Sequence, residues 1–125
     1  MASERFERGM KVRREVLGAA YVDKSMAEAD EFSRPMQELV TEYCWGEIWT
    51  QPELPRKTRS LINVAMISAL NRPHELKLHV RGALRNGCSK DEIRAVLMQV
   101  AIYCGVPAAI DGLRVAREVL KEEGL

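Results

Sequence analysis

Between Pro55 and Pro107, apolar residues recur at helical spacing in three successive runs. The first predicted helix, Arg56–Leu70, is apolar on nearly every side from Leu61 onward, with only Asn63 and Ser68 as polar positions. The second, Pro73–Asn86, places Leu76, His79, Val80, Ala83 and Leu84 on one stripe, so His79 shares the core-facing side. The third, Lys90–Tyr103, is apolar from Ile93 to its end, apart from Arg94 and Gln99. Punctuation supports these boundaries. Asn71 is placed to cap the middle helix, with Pro73 in its first turn. Asn86-Gly87 ends that helix. Ser89 and Glu92 have the spacing of a capping box. Pro107 opens a last helix that runs to about Glu122.

Upstream the pattern is weaker. Ser3 to Leu17 reads as a helix with Phe6, Met10 and Leu17 on one face, Arg13 interrupting the stripe and Val12 pointing elsewhere. Gly18 suits its end. Asp23 or Ser25 can cap a short turn over Met26–Glu31, and Ser33 a further helix with Pro35 in its first turn. Met36, Leu39, Val40 and Tyr43 make the expected inner face of that helix, which runs into Cys-Trp-Gly-Glu-Ile-Trp, residues 44–49. Pro52 and Pro55 then break the chain. No strand-like alternation and no internal repeat occurs. The expected fold is all-α: one domain over residues 1–125, six or so helices, and a central antiparallel helical hairpin. Two helices apolar on almost every side are hard to cover within 125 residues, so subunits are expected to pack against one another through them.

Composition narrows the function. Charged residues make up 30% of the chain with a net charge of +1, and no basic patch or acidic tail stands out, which argues against nucleic acid and anionic membranes as partners. The N-terminal stretch is charged rather than apolar, so no secretory signal is read there. No apolar run approaches the roughly 18–20 residues that span a bilayer. Cys44, Cys88 and Cys104 are odd in number and far apart, without a Cys-x-x-Cys pair. That spacing offers neither a zinc knuckle nor a dithiol redox motif, and a reduced, cytoplasmic compartment is expected.

Candidate chemistry centres on His79, an ionisable ring on a core-facing stripe. It reads either as a satisfied core histidine or as a catalyst. Trp45 and Trp49 flanking Glu47 read either as a packed corner or as an apolar pocket wall that presents a carboxylate. Arg56, Lys57 and Arg59 sit at the positive end of a helix dipole, where cations are unfavourable. They are solvated surface charges or the seat of an anionic ligand. His74 reads as surface, and Cys104 as a small buried residue at a helix end.

Four stretches carry a resemblance: Trp-Gly-Glu-Ile-Trp (45–49), Leu-Pro-Arg-Lys-Thr-Arg-Ser-Leu (54–61), Ala-Leu-Asn-Arg-Pro-His-Glu-Leu-Lys-Leu-His (69–79) and Tyr-Cys-Gly-Val-Pro-Ala-Ala (103–109). In this order they resemble the carboxymuconolactone decarboxylase family, within the alkylhydroperoxidase D-like superfamily. The resemblance implies a cytoplasmic homo-oligomer, trimeric or hexameric, with no metal and no cofactor. It implies conversion of 4-carboxymuconolactone to 3-oxoadipate enol-lactone in protocatechuate breakdown by the β-ketoadipate pathway. The substrate is its own electron sink, because the pair released with carbon dioxide flows through the ring double bond to the lactone carbonyl. Sinks such as pyridoxal phosphate are therefore unnecessary. The implied roles are His79 as proton donor titrating near neutrality, Glu47 as its partner, Arg59 and Arg72 as anchors or oxyanion partners with Arg81 a weaker candidate, Trp45 and Trp49 as pocket wall, and Tyr103 as hydrogen-bond donor. The sister branch uses a Cys-x-x-Cys pair followed by a histidine. Aligned on His79, those cysteine positions hold Arg72 and Glu75, which disfavours a thiol-dependent peroxidase or reductase. A polar Asn-Ser pair, an aromatic residue and a histidine are expected just after Pro107. This chain instead has Ile110, Asp111, Gly112, Leu113 and Arg114, which opens the alternative of another lactone or keto acid as substrate.

Overall fold

The structure, a computed structural model, describes residues 2–125. Among them there are seven α-helices, one π-helical segment and no strand. The chain divides into two compact units, one ending at Leu54 and the other spanning Pro55–Leu125. The division falls at the break expected from Pro52 and Pro55.

The first unit holds α1 (Glu4–Leu17), α2 (Ala19–Glu28), α3 (Arg34–Leu39) and a π-helix over Val40–Ile48. Ser3 caps α1 by accepting from the Phe6 amide. The buried side of α1 is Gly9, Val12, Arg13, Val16 and Leu17; of the predicted stripe Leu17 is buried, whereas Phe6 and Met10 are half-buried and Val12, expected to point elsewhere, is buried. The reason is Arg13. Only 5% exposed, it donates to Thr41 Oγ1 at 3.2 Å and so joins the interior instead of interrupting it. Gly18, at φ 96°, turns the chain directly from α1 into α2. Asp23 and Ser25 therefore lie inside a helix rather than capping a turn, and Asp23 pairs with Arg14 at 2.9 Å. Ser33 precedes α3, but its hydroxyl accepts from the Asp30 amide while Asp30 Oδ1 accepts from the Ser33 amide, a local turn in place of a helix cap.

The predicted inner face of α3 is also overturned. Met36, Leu39 and Tyr43 are exposed. From Val40 the helix winds more loosely, with the Trp49 amide bonded to the Cys44 carbonyl five residues back. That changes which positions share a side, and Thr41, Trp45, Gly46 and Trp49 become the buried ones. The segment crosses α1 backbone to backbone: a Cβ on Gly9 would stand 1.9 Å from the Thr41 carbonyl oxygen, and one on Gly46 2.4 Å from that of Arg5.

The second unit holds α4 (Arg56–Leu70), α5 (Pro73–Arg85), α6 (Lys90–Cys104) and α7 (Val106–Glu122). Its core is one cluster built from Val64, Leu76, Val80, Ala83, Cys88, Ile93, Leu97, Ala116 and Val119. The α4–α5 hairpin is closed by Asn71, which is the left-handed C-cap of α4 at φ 57° and not the N-cap of α5; Arg72 holds that position. The capping box of α6 is present in both directions. Along the outer sides of α4 and α6, Ile62, Met66, Leu70, Met98, Ile102 and Tyr103 are exposed. No helix among the described residues is long and apolar enough to cross a membrane.

Candidate functional site

His79 sits midway along α5, half-buried against α4. Asn63 on α4 meets it, with Nδ2 3.4 Å from Nδ1 of the ring. An amide nitrogen only donates, so this contact is a hydrogen bond when Nδ1 carries no proton and accepts. Burial pushes the imidazole pKa down from 6.5 to about 4. At pH 7 roughly one ring in a thousand is then charged. The expectation of a group titrating near neutrality is therefore corrected for the free chain: His79 is a neutral imidazole, because its site removes water from around the charged form.

The same shift predicts a pH effect on stability. The unfolded chain takes up the His79 proton below pH 6.5, whereas the folded chain excludes it down to about 4. Stability therefore falls as pH drops through that window, by up to about 3 kcal/mol from this one group. His79→Gln is expected to remove that contribution, measured as the difference between variant and parent in urea midpoints at pH 7 and pH 4. An unchanged difference at the two pH values would contradict the burial argument.

Arg59 lies one helical turn before Asn63 on α4, so the two share a side of that helix. Arg59 is half-buried, near the positive end of the α4 dipole. Ser60 on the next position is buried and accepts from Asn86 Nδ2 at 2.9 Å, tying this end of α4 to the end of α5. Lys57 is engaged with Glu92 at 3.0 Å.

The other expected residues disperse. Arg72 lies just beyond the far end of α4, which is about 16 Å along the axis from Arg59 at 1.5 Å per residue. There it donates to the carbonyls of Leu70 and Asn71 in its own turn. The two arginines thus cannot grip one carboxylate within this unit. Arg81 pairs with Glu122 and Glu123, alongside Lys77, on the α7 side of α5. Tyr103 is 80% exposed, at the mouth of an apolar groove of about 330 Å³ between α4 and α6. That groove uses Leu61, Ile62 and Ala65, which point away from Asn63. Residues 110–114 lie within α7. Gly112 packs on Ser68 and Leu97, Asp111 pairs with Arg114 at 2.6 Å, and the adjoining cavity beside Arg72 holds about 10 Å³, at most one water.

In the first unit, Trp45 and Trp49 are buried and stacked on each other with centroids 4.8 Å apart, the packed-corner arrangement. Glu47 is half exposed, 3.9 Å from Arg8. Arg8 also donates to the Gly46 carbonyl at 2.9 Å. Among the described residues no group of three or more His, Cys, Asp or Glu side chains could hold a metal ion.

A family model described as the carboxymuconolactone decarboxylase family matches residues 34–118, which include the π-helical segment, Arg59, Asn63 and His79. The chain belongs to this family. Two known proteins are similar over nearly its whole length. One is a 4-carboxymuconolactone decarboxylase from Acinetobacter baylyi, 38% identical across 98% of this chain and 91% of its own. The other is a nitrosuccinic acid decarboxylase from Metarhizium robertsii, 42% identical across 94% of this chain and 82% of its own.

Thiol chemistry finds little support in the same geometry. Burial pushes the Cys44 and Cys88 thiols up, away from the reactive thiolate. Cys104, expected to be buried, is exposed, because the end of α6 carries it to the rim of the α4–α6 groove. The residue that sequence reasoning missed is Asn63, noted only as a polar interruption in an apolar helix. Its one signal was the four-residue spacing from Arg59.

Proposed function

We propose that the chain is a carboxy-lyase whose substrate is a succinate carrying an electron-withdrawing group on the carbon that loses its carboxylate. 4-Carboxymuconolactone fits this description, as does nitrosuccinic acid. In both, one carbon bears the departing carboxylate and an arm that ends in a second carboxylate. In the lactone, the electron pair of the broken carbon–carbon bond flows through the ring double bond to the carbonyl oxygen. In the nitro acid it flows onto the nitro group. Carbon dioxide leaves, and carbon takes up one proton from solvent. The first reading is conversion of 4-carboxymuconolactone to 3-oxoadipate enol-lactone, without a cofactor, in protocatechuate catabolism. The similarity to the nitrosuccinic acid decarboxylase favours a second reading on that acid.

The observation that carries the proposal is the Asn63–His79 contact between α4 and α5, with Arg59 one helical turn from Asn63 on α4. Arg59, at the positive end of α4, anchors the carboxylate that stays, by a guanidinium fork. His79 meets the developing oxyanion or nitronate. A neutral ring suits that donor task better than the acid task expected from its ordinary pKa. Comparing kcat/KM on the two substrates tests the choice between them. A value at least tenfold higher for the lactone supports the first reading, and the reverse supports the second.

Self-association belongs to the same proposal. The exposed apolar residues on α4 and α6 support a homo-oligomer built through those helices, and the family resemblance supports a reading of three or six copies. Sedimentation at micromolar concentration is expected to show a species several times 14.2 kDa. A stable species of the single-chain mass would contradict it.

A further inference from the structure

We infer that Asn63 is a positioning residue that holds His79 with its proton on Nε2, making the neutral imidazole a hydrogen-bond donor to the oxygen that gains charge as carbon dioxide leaves. The chemical half of this inference rests on the decarboxylase reading; the ring geometry does not.

Asn63 stands in a run where Leu61, Ile62, Val64, Ala65, Met66 and Ile67 are all apolar. A half-buried amide in such a run costs stability unless it is bonded, and a leucine there would carry no such cost. The amide instead meets the ring, Nδ2 to Nδ1 at 3.4 Å. Its N–H occupies the Nδ1 lone pair, which leaves the ring proton on Nε2. A charged ring would turn a second N–H toward that donor, so the contact disfavours the cation, in the same direction as burial. The product is a fixed neutral donor. In the decarboxylation step the carbon–carbon bond breaks, its pair moves to the carbonyl or nitro oxygen, and Nε2–H holds that oxygen without giving up its proton. Solvent then supplies the proton at carbon. A neutral histidine polarising an oxygen in this way has precedent in enzymes that form enediolates. The donor needs no reprotonation between turnovers, and Arg59, one turn from Asn63 on α4, takes the anchoring task.

The test reads the ring directly. Protein labelled with ¹⁵N-histidine, in a His74→Gln background to leave one ring, is observed near neutral pH without substrate. The expected spectrum has Nε2 protonated and Nδ1 bare. Asn63→Asp replaces the donor by an acceptor of the same shape. At about pH 9 it is expected to move the proton to Nδ1, since a carboxylate accepts from Nδ1–H. Turnover at that pH is expected to drop at least tenfold, with KM changed less than twofold. Asn63→Leu keeps the packing and removes the amide. It is expected to fall between parent and Asn63→Asp in kcat, with the thermal midpoint within a few degrees of the parent. A parent ring protonated on Nδ1, or a proton position indifferent to Asn63→Asp, overturns the positioning role whatever the assay shows. A proton that moves while kcat does not, on a substrate the parent converts, overturns the donor role. If the parent converts neither acid, the decarboxylase reading fails, and the positioning role still stands or falls on the ring nitrogens.

Discussion

His79→Ala is expected to lower kcat about 10²- to 10³-fold on the preferred substrate, the usual cost of removing one donor to a developing oxyanion. KM should change far less, because the proposed ground-state anchor is Arg59 and the proposed His79 contact strengthens only as charge reaches the oxygen. The fold is expected to survive. His79 is half-buried, and the α5 side of the core is carried by Leu76, Val80 and Ala83. Steady-state kinetics with circular dichroism on the same preparation separate the two effects. Turnover within threefold of the parent, with helicity intact, would remove His79 from the chemistry and return it to the status of a core histidine.

Gly9→Ala is expected to destabilise the protein by at least about 3 kcal/mol, the upper end of the range for overpacking. On helix propensity alone the change should stabilise by about 1 kcal/mol, since alanine is the better helix former. The sign is decided by contact. The added Cβ would stand 1.9 Å from the Thr41 carbonyl oxygen and 2.8 Å from its carbon, both backbone atoms of the π-helical segment that cannot rotate aside. Either α1 lifts away or that segment rewinds, and both disturb the bond from Arg13 to Thr41. The midpoint of urea unfolding reads the change. A loss below about 1 kcal/mol would contradict a backbone-to-backbone crossing at Gly9.

These two sites differ in how far sequence reveals them. Helices α4 to α7 could be drawn from the chain almost to the residue, because each boundary carries its own chemistry: Pro55, Pro73, Asn86-Gly87, the Ser89 and Glu92 box, Pro107. Asn71 was legible as a cap but assigned to the wrong helix, since asparagine is favoured both at an N-cap and in the left-handed position that ends a helix. The first unit was harder to read. A 3.6-residue template cannot anticipate a π-helix, so Met36, Leu39 and Tyr43 looked inward although Thr41 and Trp45 are the residues that are buried. Arg13 looked like an interruption because sequence does not show a hydroxyl waiting on another helix. At the site, the spacing around His79 announced the ring. Its partner Asn63 was hidden by being a single polar letter in an apolar run on a different helix. The lowered pKa was not legible either, since it depends on how much water the packing of α4 on α5 removes.

The central claim is decarboxylation of a substituted succinate. The most direct measurement is release of carbon dioxide from freshly generated 4-carboxymuconolactone, and in parallel from nitrosuccinic acid, with a chelator present. One equivalent of carbon dioxide per substrate on at least one of them, at a rate the chelator does not change, is the predicted result. A folded protein that releases none from either acid would contradict the account.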